Sequence, residues 1–67
     1  MDGERYLTVE QAAERLQTHP QTVRKWLRTG RLVGTLISRR AGYRIAQTEV
    51  DRFLREGPRE PEEKLAA

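Results

Sequence analysis

The sequence predicts a small, mostly helical α+β domain: three short helices with a two-stranded β-hairpin between the second and the third. Three observations carry this. Apolar residues recur at helical spacing in three stretches, Pro20 and Gly30 bracket the middle one, and two β-branched and aromatic runs flank a glycine-containing segment before the third stretch begins. At 67 residues there is room for one core and no second domain.

The first helix follows Tyr6-Leu7. Thr8 stands where a cap is needed and Gln11 follows three residues later, the spacing of a capping box. Val9, Ala12, Ala13 and Leu16 then form one apolar stripe, with Leu7 placed as a staple beside Ala12, while Glu10, Glu14 and Arg15 face water. The pattern breaks at Gln17-Thr18-His19. Pro20 suits the first turn of a second helix, because its fixed φ is helical and its missing N–H would have had no partner there. On that helix Val23, Trp26 and Leu27 share an arc of roughly 100°, Gln21, Lys25 and Arg28 point the opposite way, and Thr22 and Arg24 flank them. Gly30 supplies the left-handed stop.

Thr35-Leu36-Ile37 and Tyr43-Arg44-Ile45 read as the two strands of a small wing, and Ser38-Arg39-Arg40-Ala41-Gly42 as its five-residue loop. The third helix runs from Thr48 to Arg55, with Val50, Phe53 and Leu54 inward and Asp51, Arg52 and Arg55 outward. Residues 1–5 are expected to be a flexible N-terminus, 6–55 the folded domain, and 56–67 a largely disordered charged tail interrupted by Gly57, Pro58 and Pro61.

Composition narrows the chemistry. Hydrophobic residues make up 36% and charged residues 34%, enough for a thin core under a heavily charged surface. A domain of this length buries only about 60% of the surface its unfolded chain exposes, which leaves little interior for an enclosed active site. With no cysteine, disulfides, thiolate metal sites and a cysteine nucleophile are excluded. His19 is a lone histidine beside a turn and predicts no metal; no acid–base pair, activated nucleophile or phosphate-cradling glycine loop is visible, so neither an enzyme nor a cofactor is expected. An acidic, polar start and the lack of a long apolar window predict a cytoplasmic protein with no membrane partner.

The net charge of +3 is unevenly spread. Residues 1–19 and 47–67 each carry −2, whereas residues 20–46 hold Arg24, Lys25, Arg28, Arg31, Arg39, Arg40 and Arg44 with no acid, a local charge of +7. Such a block attracts a polyanion to one surface. Arg24 can lay its stem along the core and present a planar fork of donors to a phosphate. Lys25 and Arg28 occupy the acid-free outer face of the second helix, and Gln21 has the paired donor and acceptor that read adenine in a major groove. Arg39 and Arg40, neighbours at the wing tip, repel each other unless phosphates or a narrow minor groove neutralise them. Arg44 alternates with Tyr43 and Ile45 and so points away from the core. Trp26 sits on the apolar stripe and reads as core.

The runs Tyr6-Leu7-Thr8, Glu10-Gln11-Ala12-Ala13 and Leu16, then Thr22-Val23-Arg24 with Trp26, Gly30 and Leu32, and finally Tyr43-Arg44-Ile45, resemble the excisionase-like DNA-binding domains of the MerR-type winged helix-turn-helix superfamily. The resemblance covers residues 6–54 and is most specific in Thr22-Val23-Arg24-x-Trp26 followed by Gly30-x-Leu32. It implies a winged helix-turn-helix whose second helix enters a major groove of double-stranded DNA and whose wing tip lies along the adjacent minor groove or its phosphates. Carried over by position, Thr22 and Arg24 become backbone contacts, and Gln21, Lys25 and Arg28 face the base edges. The sequence departs from the family's pattern in having His19 where many relatives use serine, and in a longer wing carrying Arg39-Arg40 where they turn on two glycines.

The resulting expectation is a DNA-binding protein in which four or five cations meet phosphates. MerR-type regulators continue into a long dimerising helix, which the prolines at 58 and 61 disfavour here. The excisionase-like mode therefore leads: a monomer in solution that assembles cooperatively side by side on repeated sites and bends DNA, with a site-specific recombinase as partner. The alternatives are a small transcriptional regulator of the same fold and, in a different class, a protein-interaction module that holds a recombinase or another acidic partner.

Overall fold

The computed structural model describes residues 5–60. In chain order it contains β1 (Tyr6–Leu7), α1 (Val9–Leu16), α2 (Pro20–Thr29), β2 (Thr35–Ser38), β3 (Gly42–Ala46) and α3 (Gln47–Glu56). The fold is a winged helix-turn-helix of the expected α+β class. Among the described residues no helix is long and apolar enough to cross a membrane.

The capping box forms as its spacing requires: Gln11 N donates to Thr8 Oγ1 at 3.1 Å, and Thr8 N donates to Gln11 Oε1 at 2.9 Å. Gln17 ends α1 in the left-handed region at φ 55°. α2 starts with Pro20 in its first turn, but His19 contributes no side-chain cap; its carbonyl accepts from Thr22 N and Val23 N instead. Gly30, at φ 83°, closes α2 with its N–H on Leu27 O. A side chain there would force an L-residue into a strained backbone.

The sheet is larger than the expected two-stranded wing. All three strands are antiparallel in the order β1-β3-β2, because Tyr6 and Leu7 pair with Ala46 and Ile45 across the other side of β3. Thr35 pairs with Arg44 and Leu36 with Tyr43; an irregularity at Ile37 precedes the Ser38–Gly42 pair, which shortens the connecting turn to residues 39–41. The core is Leu7, Val9, Ala12, Ala13, Val23, Leu32, Ile45 and Val50, with Leu16, Trp26, Leu27, Tyr43 and Phe53 packed around it. Trp26 meets Phe53 with ring centroids 4.7 Å apart, a tilted aromatic contact.

Gly34 sets how closely the wing approaches α2. A Cβ there would lie 2.7 Å from Leu27 Cδ2, 3.1 Å from Ile45 Cγ1 and 3.2 Å from the Arg44 carbonyl oxygen. A side chain there would push the Leu27 end aside and crowd the Arg44 backbone, so the approach of β2 to α2 is tight at this point.

Around α3 the structure corrects two expectations. Leu54 is not inward but 56% exposed, and Glu49 takes the inward position, 9% exposed. Its carboxylate accepts from Val33 N at 3.1 Å and pairs with both Arg52 and Arg59. Turning Glu49 toward this nest of donors rotates Leu54 off the apolar arc, since residues five apart on a helix differ by about 140° in azimuth. Arg52 is accordingly not an outward residue: its side chain is 17% exposed against Glu49. In the segment expected to be a tail, Glu56 completes α3, Arg59 N donates to Arg31 O at 2.9 Å and the Arg59 guanidinium grips Glu49. The rest of that tail, residues 61–67, and residues 1–4 of the N-terminus lie outside the described residues.

Candidate nucleic-acid interface

α2 packs Val23 fully into the core and Leu27 and Trp26 partly. At about 100° per residue, this turns Gln21, Lys25 and Arg28 outward as a ridge, and all three are exposed. The ridge has two flanks. Arg24 lies on one, and Thr22 and Thr29 lie on the other.

The Arg24 flank faces the wing across a groove of about 330 Å³ lined by Arg24, Arg39, Arg40 and Arg44 together with Glu10 and Tyr43. Residues twenty apart in sequence are thus brought to one concavity. Arg39 and Arg40 are exposed in the turn between β2 and β3. Arg44 is half-buried, and its Nη1 donates to the carbonyls of Ala41 and Tyr43 at 3.1 Å, which fixes the guanidinium against the wing turn. Arg24 Nη2 meets Glu10 Oε2 at 3.3 Å, with both side chains well exposed. The expectation of an acid-free surface therefore holds within residues 20–46 but not in space: α1 contributes one carboxylate to the groove. Among the described residues, Arg24 is the only one of the block's seven cations in an ion pair.

The opposite flank carries a second groove of about 290 Å³, lined by Thr22, Lys25, Trp26, Thr29 and Arg31. Thr22, grouped in the sequence with Arg24, is therefore separated from it by the outward ridge, and Lys25, on that ridge, lines the second groove. Gln21 and Arg28 line neither groove.

Glu49 lies beneath this surface rather than on it. Burial alone would raise its pKa, but hydrogen bonds from Arg59, Arg52 and Val33 N outweigh that and hold it at about 2. The same contacts raise Arg52 and Arg59 above the ordinary arginine value. The carboxylate is therefore ionised and spoken for, an internal tie between the start of the wing and the C-terminal residues.

A helix-turn-helix domain family model matches residues 6–58, from β1 through all three helices to the turn that leads to Arg59. The chain belongs to the helix-turn-helix domain family. Comparison with curated proteins gives no match, and neither does comparison with solved structures. Membership supports DNA binding in general, and in this helix-turn-helix domain α1 and α2 are the two helices of the motif, with α2 in the recognition position.

Sequence reasoning missed Glu10 as the partner of Arg24, and Arg31 as a wall of the second groove. For Arg31 a signal existed: it belongs to the acid-free block and directly follows the helix stop at Gly30. For Glu10 none did, since its contact with Arg24 spans fourteen residues and depends on how α1 crosses α2.

Proposed function

We propose that this helix-turn-helix protein is a sequence-preferring double-stranded DNA-binding protein of the excisionase-like kind. α2 enters a major groove with Gln21, Lys25 and Arg28 toward base edges. Arg24, Arg39, Arg40 and Arg44 hold phosphates and the neighbouring minor groove, and Thr22 contacts the backbone. The observation that carries the reading is the groove in which the wing-tip arginines and Arg24 converge beside the exposed ridge of α2. Phosphate neutralisation then dominates affinity, and four or five such contacts give a slope of about −4 for the logarithm of the binding constant against that of salt.

Small protomers assemble side by side on repeated sites and bend the DNA for a site-specific recombinase. The assembly is supported by β2, a sheet edge whose four residues are all exposed, Leu36 and Ile37 among them. Arg24 and Arg28 changed together to alanine lower affinity for a duplex recovered by selection at least tenfold; unchanged affinity would instead favour a protein-interaction module. Ultracentrifugation is expected to show a monomer without DNA, and a tight dimer there contradicts the assembly. A circular-permutation bending assay separates the recombination role from a small transcriptional regulator.

A further inference from the structure

The groove on the far flank of α2 is not part of the wing-side site. It is lined by two cations, Lys25 and Arg31, two threonines, Thr22 and Thr29, and Trp26. Neither cation has a carboxylate partner among the described residues. Thr29 Oγ1 donates to Lys25 O at 2.8 Å, which leaves the hydroxyl oxygen's lone pairs but no proton for a ligand. An anion is thus met by the cations.

Arg31 is held by its backbone at both ends. Its N–H donates to Trp26 O at 2.9 Å, and its carbonyl accepts from Arg59 N at 2.9 Å. Leu32, next in the chain, is 1% exposed, and Arg59 is itself anchored on buried Glu49. An arginine fixed in this way loses less freedom on gripping a ligand than one on a free loop.

A helix with its side chains is about 10–12 Å across, and the major groove of B-DNA is about 12 Å wide, so a helix lying in it has one phosphate backbone on each side. The wing-side groove meets one of them. We propose that the Lys25–Arg31 groove is a second phosphate site that takes the backbone of the other DNA strand, with Arg31 as its principal ligand. The proposal rests on the duplex-binding reading above and adds a strand-specific contact that the wing-side groove does not supply.

The test uses the full chain and a labelled duplex selected from a random pool. Anisotropy titrations across a salt series compare the wild-type chain with R31A, R31K and R39A. R31A makes the salt slope shallower by about 0.9 and weakens binding to all duplexes alike, as expected for one lost phosphate contact, whereas R31K keeps the slope. Duplexes with single methylphosphonates in one strand or the other then locate the contact: neutralisation in the strand opposite the wing weakens the wild-type chain and leaves R31A unaffected. The methylphosphonate series on the wild-type chain decides the case even where R31A fails to fold. If R39A loses affinity but R31A does not, or if only the wing-side strand responds, the second site is overturned and the wing-side reading stands. If the wild-type chain binds no duplex, both readings fall.

Discussion

Replacing Glu49 with glutamine tests how far this small fold depends on a single buried carboxylate. The group is 9% exposed and accepts hydrogen bonds from Val33 N, Arg52 and Arg59, at 3.0–3.1 Å. Those contacts hold its pKa at about 2 against an ordinary 4.5. At about 1.4 kcal/mol for each tenfold change in proton affinity, the native fold favours the ionised form by about 3 kcal/mol. For a domain whose total stability is on the order of 5 kcal/mol, that is more than half. The sign follows from the direction of the shift. The folded state binds this proton more weakly than the unfolded state, so the contribution is complete above pH 4.5 and is lost as pH falls from 4.5 toward 2. Urea unfolding followed by circular dichroism is expected to show E49Q about 3 kcal/mol less stable at pH 7, with the gap shrinking below about 1 kcal/mol at pH 2.5. A gap that stays constant across that range would mean the loss is one of packing, and no gap at pH 7 would mean the cluster does not stabilise the fold. Either result refutes the reasoning.

Two further perturbations address the frame. Gly34→Ala places a methyl 2.7 Å from Leu27 Cδ2 and 3.2 Å from the Arg44 carbonyl, and the carbonyl cannot yield as a side chain can. It is expected to cost about 1–3 kcal/mol and to lower the thermal midpoint, and a neutral effect would show that the wing is free to shift from α2. Thr8→Ala removes one half of the capping box and is expected to cost about 1 kcal/mol, measured by the same urea titration. If Thr8→Ala costs nothing, water replaces the hydroxyl at the first turn of α1.

How much of this was legible depended on sequence distance. The start of α1, the limits of α2 at Pro20 and Gly30, and the identity of Val23, Leu16 and Val50 as apolar-face residues rest on spacings of three and four, and local patterns reveal them. β1 was illegible because two residues carry no periodicity; Tyr6 and Leu7 become a strand only when β3 arrives forty residues later. Glu49 looked like an ordinary acid near the start of a helix, since its partners Val33 and Arg59 lie sixteen and ten residues away. Without that signal Leu54, next to Phe53, reads as core, whereas Val50 and Phe53 do pack inward as expected. In the interface, the cationic block was plain in the sequence, and the outward ridge of α2 followed from the helical wheel. The sorting of that block into two grooves was not visible, because it depends on where β2 and the turn after Gly30 fold back beside α2.

The protein uses ion pairs of two kinds, and the difference follows from exposure. Gathering seven cations into residues 20–46 costs stability through mutual repulsion, and the acids outside that block offset it. Glu49 pairs beneath the surface with Arg52 and Arg59, which lie outside that block, and its own side chain is 10% exposed. Glu10 offsets the repulsion at the rim of the groove, where its 3.3 Å contact with Arg24 is solvated on both sides. An exposed pair of this kind is worth about 0–1 kcal/mol, so an incoming phosphate can displace Glu10 from Arg24 at little cost. A phosphate competing for Arg59 would instead have to break the nest around Glu49. The fold therefore places a buried carboxylate with several partners where the wing joins the helices and an exchangeable pair at the groove where a polyanion would dock.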